Sequence, residues 1–555
     1  MRPRIGPLHW PSNAGSVNQR PDEIVGRHNR ALPVHKAGSM LPVPRRAHLR
    51  CAIALLLCAS GAATACDAGR VVDASGSGLA GVRVSDGRRI VETAADGRFA
   101  GLSGRQSPVF VIKPAGWTLP RSGAHPAFWR PPGARGAACT FALQAGEASG
   151  ALDVAVFADP QTATAAEVGD YDRSVVEAAR RAGPFGLGLM LGDVTNDDPA
   201  LYPLIDRATA RLDTPWLHAP GNHDLDFSAA DDPSSTASFR AAYGPETYAW
   251  ETPQASFLVL DNVIYRPGQR PDYVGGLRED QFAFVEAYLA SAPVDRLLVV
   301  AAHVPWFDTA SVGAPETVRS ADRARLFAAL QRHPRVLLLT GHRHTQQHVR
   351  HGVDSGWHGA TPLHEYNVGA VSGAFWSGAP DAAGIPDATM ADGTPNGFAT
   401  LHIQADGDYR LAWHPARTSD DPATTQAMAL HAPRVLRQGA YPAWGVYANV
   451  YMGEADTRVE FRVGEGDWAL MRRVERPDPR LLLENARDDL ADALRGRDRS
   501  PEAVPSMHLW RGALPTGLAV GEHEVEVRAF DTWQGEQRAR TRYRLDRFDD
   551  PGSAE

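Results

Sequence analysis

Five short polar motifs follow one another through the middle of the chain, and their placement constrains the fold more than any bulk property. They are Asp159-Pro160-Gln161, Gly192-Asp193, Gly221-Asn222-His223-Asp224, His303-Val304-Pro305 and Gly341-His342-Arg343-His344. Four of them come at the ends of the apolar runs Val154–Ala158, Leu187–Leu191, Leu297–Ala301 and Val336–Thr340, which read as buried strands, as does Phe257–Leu260. The third motif falls on a loop between elements. Helical stretches at Arg173–Ala182, Glu279–Ala290 and Ala321–Gln331 alternate with the strands. Strand-helix alternation predicts an α/β layered domain over residues 151–405, and such sheets hold ligands just beyond their strand ends.

Taken singly, the motifs differ in weight. Gly-Asp is a common turn, and Asp-Pro often opens a helix. Gly-Asn-His-Asp and Gly-His-x-His say more, because both crowd polar side chains beside glycines that let the backbone turn sharply. In this order the series resembles the calcineurin-like metallophosphoesterase superfamily. The resemblance implies two sheets flanked by helices and a pair of divalent ions. It assigns Asp159, Gln161, Asp193 and His344 to one ion and Asp193, Asn222, His303 and His342 to the other, with Asp193 shared. Many members have Asp-x-His in the first motif, whereas Gln161 stands here, as in some branches. Direct coordination by the Gln161 carbonyl and a supporting hydrogen bond both remain open. Carboxylate, amide and imidazole donors suit Mn, Fe or Zn alike.

The chemistry implied is hydrolysis of a phosphate ester by a water bridging the two ions and acidified by them. By the same resemblance His223 protonates the leaving group and Asp224 orients it. Monoester, diester and pyrophosphate bonds all fit. Trp306, Tyr366 and Trp376 are the aromatic candidates for the wall of the substrate pocket. The competing reading is a surface protein that binds glycan or protein through its β modules while its metal domain is vestigial. No Gly-x-Ser-x-Gly elbow occurs in the segment, so a serine hydrolase gains no support.

On either side the pattern turns to β. Residues 66–150 alternate short β-type runs with Gly, Ser and Asp turns, and predict a small sandwich. Ala80-Gly-Val-Arg-Val84 followed by Asp96-Gly-Arg-Phe99 resembles transthyretin-like modules of secreted proteins. Residues 406–549 predict a C-terminal β domain with one polar helix near Leu481–Leu494, leaving 550–555 as a tail. Together with loops such as Val371–Gly378 and the segment His508–Pro515, the flanks resemble exported bacterial metallophosphoesterases built as N-terminal, catalytic and C-terminal domains.

The first 65 residues read as an upstream segment and a leader. Arg45, Arg46 and Arg50 precede the apolar run Cys51–Cys58, and Ala63-Thr-Ala65 fits a cleavage site. Initiation at Met40 instead of Met1 would give a conventional leader. Export to the periplasm or beyond is therefore expected, with no membrane span once the leader is removed. Cys66 and Cys139 would then be free to pair, or Cys66 to carry a lipid. Net charge is −8, from 57 Lys and Arg against 65 Asp and Glu, with no concentrated basic stripe, so a nucleic-acid polymer is not the expected partner. A phosphorylated substrate is. Nothing in the sequence fixes the oligomeric state.

Overall fold

The structure is a computed structural model that describes residues 65–310, 314–417 and 419–548. The expected leader and C-terminal tail lie outside the described residues. Besides a two-stranded ribbon of Val263–Tyr265 and Tyr273–Gly275, the central domain has two large sheets. Their strands are β1 (Leu152–Phe157), β2 (Leu187–Met190), β3 (Trp216–His218), β4 (Tyr248–Glu251), β5 (Ala255–Val259), β6 (Leu297–Ala301), β7 (Val336–Thr340), β8 (Gln347–His351), β9 (Leu363–Asn367), β10 (Gly397–Ile403) and β11 (Tyr409–Pro415). One sheet runs β3-β2-β1-β10-β11 and the other β4-β5-β6-β7-β9-β8.

Within each sheet the strands that lead into the polar motifs are parallel: β1 with β2, β2 with β3, and β6 with β7. Almost every residue of these strands is buried, which accounts for their unbroken apolar runs. Parallel strands end on the same side, so the five motif loops emerge together. The expected helices form at Ala165–Ala182, through a π-type turn, and at Glu279–Ser291 and Ser320–Leu330.

The hairpin β10–β11 continues the first sheet, with Gly397 opposite Pro415 and Ile403 opposite Tyr409. The expected boundary at residue 406 would cut this hairpin. The C-terminal β core begins later, at Ala423, because Tyr409–Pro415 spends its hydrogen bonds inside the catalytic sheet.

The N-terminal module is a sandwich of three- and four-stranded sheets. A disulfide joins Cys66 to Cys139, so the Cys66 sulfur is not available for the thioether of a lipid anchor. Phe110 and Phe128 pack edge-on against Tyr248, Trp250 and Phe284 of the central domain. The C-terminal domain is a second sandwich that includes strands β12 (Gly445–Val450) and β13 (Leu509–Ala513). The inserted helix spans Pro479–Asp489, capped by the Asp478 side chain. No helix among the described residues is long and apolar enough to cross a membrane.

Candidate metal centre

The five loops bring their polar side chains to one point. Asp193, His303 and His342 each offer a donor atom, and these atoms lie within 4.8 Å of one another. His303 Nε2 is the hub. It stands 3.1 Å from Asn222 Oδ1, 3.2 Å from His342 Nδ1 and 3.3 Å from Asp193 Oδ2. Beside it, His344 Nε2 lies 3.6 Å from Asp159 Oδ1. Gln161 is also buried, on the strand-end loop it shares with Asp159.

Backbone contacts decide which ring edges face inward. His303 Nδ1 donates to the Leu191 carbonyl at 2.8 Å, and His344 Nδ1 to that of Gly373 at 2.6 Å. Each ring thereby keeps a proton on Nδ1 and turns Nε2 into the cluster, the edge that a metal-ligating imidazole presents. Asp159 accepts the His342 backbone N–H at 3.0 Å, tying the first motif to the last.

Close approach explains the glycines. A Cβ on Gly221 would sit 2.1 Å from Asp193 Oδ1, and one on Gly341 would sit 2.6 Å from Asp159 Oδ2. Neither position tolerates a side chain while its carboxylate stays in place. Asp159, Gln161, Asp193, His342 and His344 themselves adopt positive φ between 39° and 75°. Left-handed backbone at non-glycine residues costs on the order of 1–3 kcal/mol each, and such strain gathers where a site needs side chains aimed inward.

Charges in this cluster are far from their ordinary states. Burial drives Asp159 up to about 7, with the charge of Asp193 adding to it. His342 is pushed down to about 3 and His344 to about 4, both chiefly by burial. Burial opposes a charge on His303, yet Asp193 and Asp159 lift it to about 9. Two carboxylates and three imidazoles buried together need compensating positive charge, and divalent cations supply it without protonating any donor. The Gln161 Oε1 atom is buried without a hydrogen-bond partner among the described residues, while Gln161 Nε2 reaches Asn196 at 3.4 Å. This donor set fits divalent metal ions.

The surroundings depart from expectation in two places. Asp224 does not touch the His223 ring. It accepts from the backbone of Val194 and Gly221 and from the Tyr202 hydroxyl, bracing the loop that carries Asp193. The partner of His223 is Asp197, whose Oδ1 is 2.7 Å from His223 Nδ1. Asp197 also has positive φ, and it lies four residues after Asp193 in a polar run outside the five motifs. Burial would depress His223, but Asp193 and the Asp197 hydrogen bond raise it to about 9.

The second departure concerns the aromatic residues. Trp306, Tyr366 and Trp376 are at most 1% exposed, so none offers a face to a ligand. Trp376 donates from Nε1 to the Pro160 carbonyl at 2.9 Å, and Tyr366 donates to Gln346 Oε1 at 2.6 Å. They buttress the loops from behind. The aromatic that reaches solvent is Phe375, 60% exposed and stacked on the His344 ring with centroids 4.6 Å apart. Phe375 and Trp376 share a φ of 54°, and the first faces out where the second turns in. Tyr273, whose hydroxyl lies 3.4 Å from His342 Nε2, also borders the centre.

Three family models match the chain in succession. Residues 66–145 match the N terminal of calcineurin-like phosphoesterase, residues 152–346 calcineurin-like phosphoesterase itself, and residues 365–536 its C terminal. No curated protein matches the chain. Among solved structures, a purple acid phosphatase from yellow lupin (Lupinus luteus) seeds is 14% identical, over 61% of this chain and 67% of its own, with a TM-score of 0.36. A Thermus thermophilus protein is 11% identical over 48% of this chain and 99% of its own, with a TM-score of 0.29. The phosphopantetheinyl hydrolase of Mycobacterium tuberculosis is 12% identical over 40% and 91%, with a TM-score of 0.26.

Proposed function

Since the chain is a calcineurin-like phosphoesterase, and so a metal-dependent phosphoester hydrolase, we propose that its centre holds two divalent ions and acts on phosphate esters outside the cytoplasm. Asp193, Asn222, His303 and His342 would hold one ion, and Asp159, Gln161 and His344 the other, with Asp193 between them. Such a pair would supply polarisation of the phosphoryl group and activation of the attacking water. The observation that carries this reading is the convergence on His303 Nε2 of three donor atoms from three different loops.

The remaining residues handle the proton and the approach. With Nδ1 held by Asp197, the ring of His223 keeps Nε2 as its free edge. A protonated Nε2 donates to the departing oxygen, and the Asp197 carboxylate stabilises the charged ring until it does. Asp224 acts at one remove by fixing the Asp193 loop. Phe375 offers a flat apolar face beside His344, suited to an apolar or cyclic leaving group. The Cys66–Cys139 disulfide supports an oxidising compartment.

The test is the purified protein loaded separately with Mn, Zn and Fe and assayed on chromogenic phosphate mono- and diesters and on a pyrophosphate. Hydrolysis with two equivalents of bound metal is expected. Protein carrying two equivalents yet inert on every ester would sink the proposal.

A further inference from the structure

The C-terminal domain carries a large cavity. It is a groove of about 1060 Å³ walled by the ends of β12 and β13 and by neighbouring loops. Four arginines line it, Arg437, Arg472, Arg476 and Arg511, and no carboxylate does. None of the four forms an ion pair among the described residues. Elsewhere in the same domain Arg458, Arg462, Arg528, Arg538 and Arg540 all pair with glutamates. In a chain of net charge −8 a groove with four uncompensated cations marks a place for an anion.

Aromatic residues share that groove. Tyr441 is 94% exposed and Trp444 59% exposed, while Tyr447 forms part of the floor. Large aromatic surface left in water is unfavourable unless something covers it. Arg511 is already fixed, donating to the Ala443 carbonyl at 3.0 Å, with its guanidinium 6.0 Å from the Tyr447 ring centroid. Flat exposed rings beside guanidinium groups, one of them already fixed, are the two elements that hold sugar rings and their anionic substituents. A bilayer would call for these groups on a convex face, and here they line a concavity. A stretch of acidic polypeptide would use the arginines but leave the exposed rings without a matching surface.

We propose that this groove binds an acidic saccharide chain, with sugar rings on Tyr441 and Trp444 and phosphate or carboxylate groups on the arginines. It goes beyond the reading of the metal centre and does not depend on it. Strand β12 runs from the groove at Gly445 to Asn449, whose Nδ2 donates to the Asp392 carbonyl of the central domain at 3.0 Å. The groove and the catalytic domain are therefore joined by about 13 Å of one strand.

The test titrates the full metal-loaded chain with tetragalacturonate and a heparin tetrasaccharide, following tryptophan fluorescence and calorimetry, with neutral maltotetraose, inorganic phosphate, poly-glutamate and phosphatidylglycerol vesicles alongside. Saturable binding of at least one acidic saccharide is expected, about tenfold or more tighter than maltotetraose and weakening as salt is added. Trp444→Ala should loosen it about tenfold, and Arg472→Gln with Arg476→Gln should loosen it and flatten its salt dependence. All three positions line the groove and none is among the proposed metal ligands, so hydrolysis of a small chromogenic ester should stay within about twofold of the parent. Asp193→Asn should bind the saccharide as the parent does, which separates this site from the metal centre. Absence of acidic-saccharide binding at millimolar concentration overturns the proposal. So does binding that the groove variants leave unchanged, or tighter binding to poly-glutamate or to vesicles.

Discussion

Ten non-glycine residues among those described have left-handed φ, and all lie between Asp159 and Ala388 of the central domain. The described parts of the flanking β domains hold none. The contrast extends to charge. In the C-terminal sandwich, pairs such as Arg462–Glu526 and Arg528–Glu460 lie along strands with their partners beside them. In the central domain Asp159, Asp193 and His303 are almost fully buried; burial pushes Asp159 up, His303 holds Asp193 ionised against burial, and the two carboxylates raise His303. The β domains are built for stability, and the centre carries strain that its surroundings must absorb.

The largest effect should come from removing a charge at the focus of that cluster. Asp193→Asn keeps a side chain that tolerates left-handed backbone but removes a buried carboxylate. We expect turnover to fall by about a thousandfold or more, since the charge shared between the proposed ions is lost. Stability of the metal-free protein should fall, because the Asp193 carboxylate is the buried partner of the His303 ring and its loss leaves that ring without its nearest counter-charge. Metal content and urea midpoint measured together check both halves. A variant that kept its metal and its rate would break the contrast.

Next comes the seam between the two regions. His508 of the C-terminal domain meets Asp392 of the central domain at 3.1 Å, both about 2–3% exposed, and Asp392 accepts the Gln346 backbone N–H at 2.8 Å. Burial pushes Asp392 up, but the hydrogen bond and charge of His508 bring it below the usual range. His508→Ala leaves that carboxylate buried and unpaired, at a cost of about 3 kcal/mol. Because Gln346 lies two residues beyond His344, some loss of kcat should follow, yet less than about tenfold if the centre is held mainly by its own loops. A collapse of kcat with stability intact would show that the strain is borne by the β domain instead.

His223→Ala should lower kcat by about a hundredfold without loss of metal, and Asp197→Asn by about tenfold. Asp224→Asn should behave differently, costing stability first, because its carboxylate accepts backbone N–H groups from both Val194 and Gly221. Equal kcat losses for Asp197→Asn and Asp224→Asn at unchanged stability would return the orienting role to Asp224.

These cases show what a sequence of this kind can and cannot disclose. Backbone-level features are legible: β1, β2, β6 and β7 stand out as apolar runs because both sheet faces are covered, and each motif sits where its strand ends. The glycines of Gly221-Asn222 and Gly341-His342 mark the loops because no Cβ fits there. Side-chain direction is not legible. Ring size carries no sign of which neighbour turns inward, so Trp376 reads as the pocket aromatic although Phe375 is the one that faces out. Adjacency in sequence favours Asp224 as the partner of His223, whereas Asp197 arrives from another loop. The hairpin β10–β11 cannot be assigned to the catalytic sheet from local pattern, because its partner strand β1 lies some 240 residues earlier.

Acidification probes the same seam more gently. His348 Nδ1 lies 3.0 Å from His364 Nε2, and Trp533 of the C-terminal domain stacks on His364 at 5.5 Å. Burial holds His348 down to about 3 and His364 well below its ordinary value. The unfolded chain takes up protons on both as pH falls through about 6.5, while the folded chain resists until far lower. Their contribution to stability is thus complete above neutrality and is lost as pH drops, on the order of 2 kcal/mol at pH 5 for His348 alone. Replacing both with Gln should flatten the decline in urea midpoint between pH 7 and 5. A pH profile unchanged in that double variant would rule these histidines out as its source.

The smallest effect isolates strain from function. Asp213 has φ 48° at the end of the short 3-10 turn Ala210–Leu212, away from the metal centre. Its side chain is 92% exposed, and its ion pair to Arg121 lies on the surface. A left-handed position just past a helical turn favours glycine by about 1 kcal/mol over a residue with a Cβ. Glycine also frees the unfolded chain, which offsets part of that gain, and the exposed ion pair counts for little. Asp213→Gly should therefore raise stability by about 0.5 kcal/mol and leave turnover unchanged. The urea midpoint at constant slope reads the first, and a chromogenic ester assay reads the second. If stability rose here while the corresponding glycine at Gln161 raised it and abolished metal binding, strain in this domain would divide into an incidental part and a functional part. If Asp213→Gly were destabilising, the left-handed turn would be held by the Asp213 side chain itself, and positive φ alone would not identify stored strain.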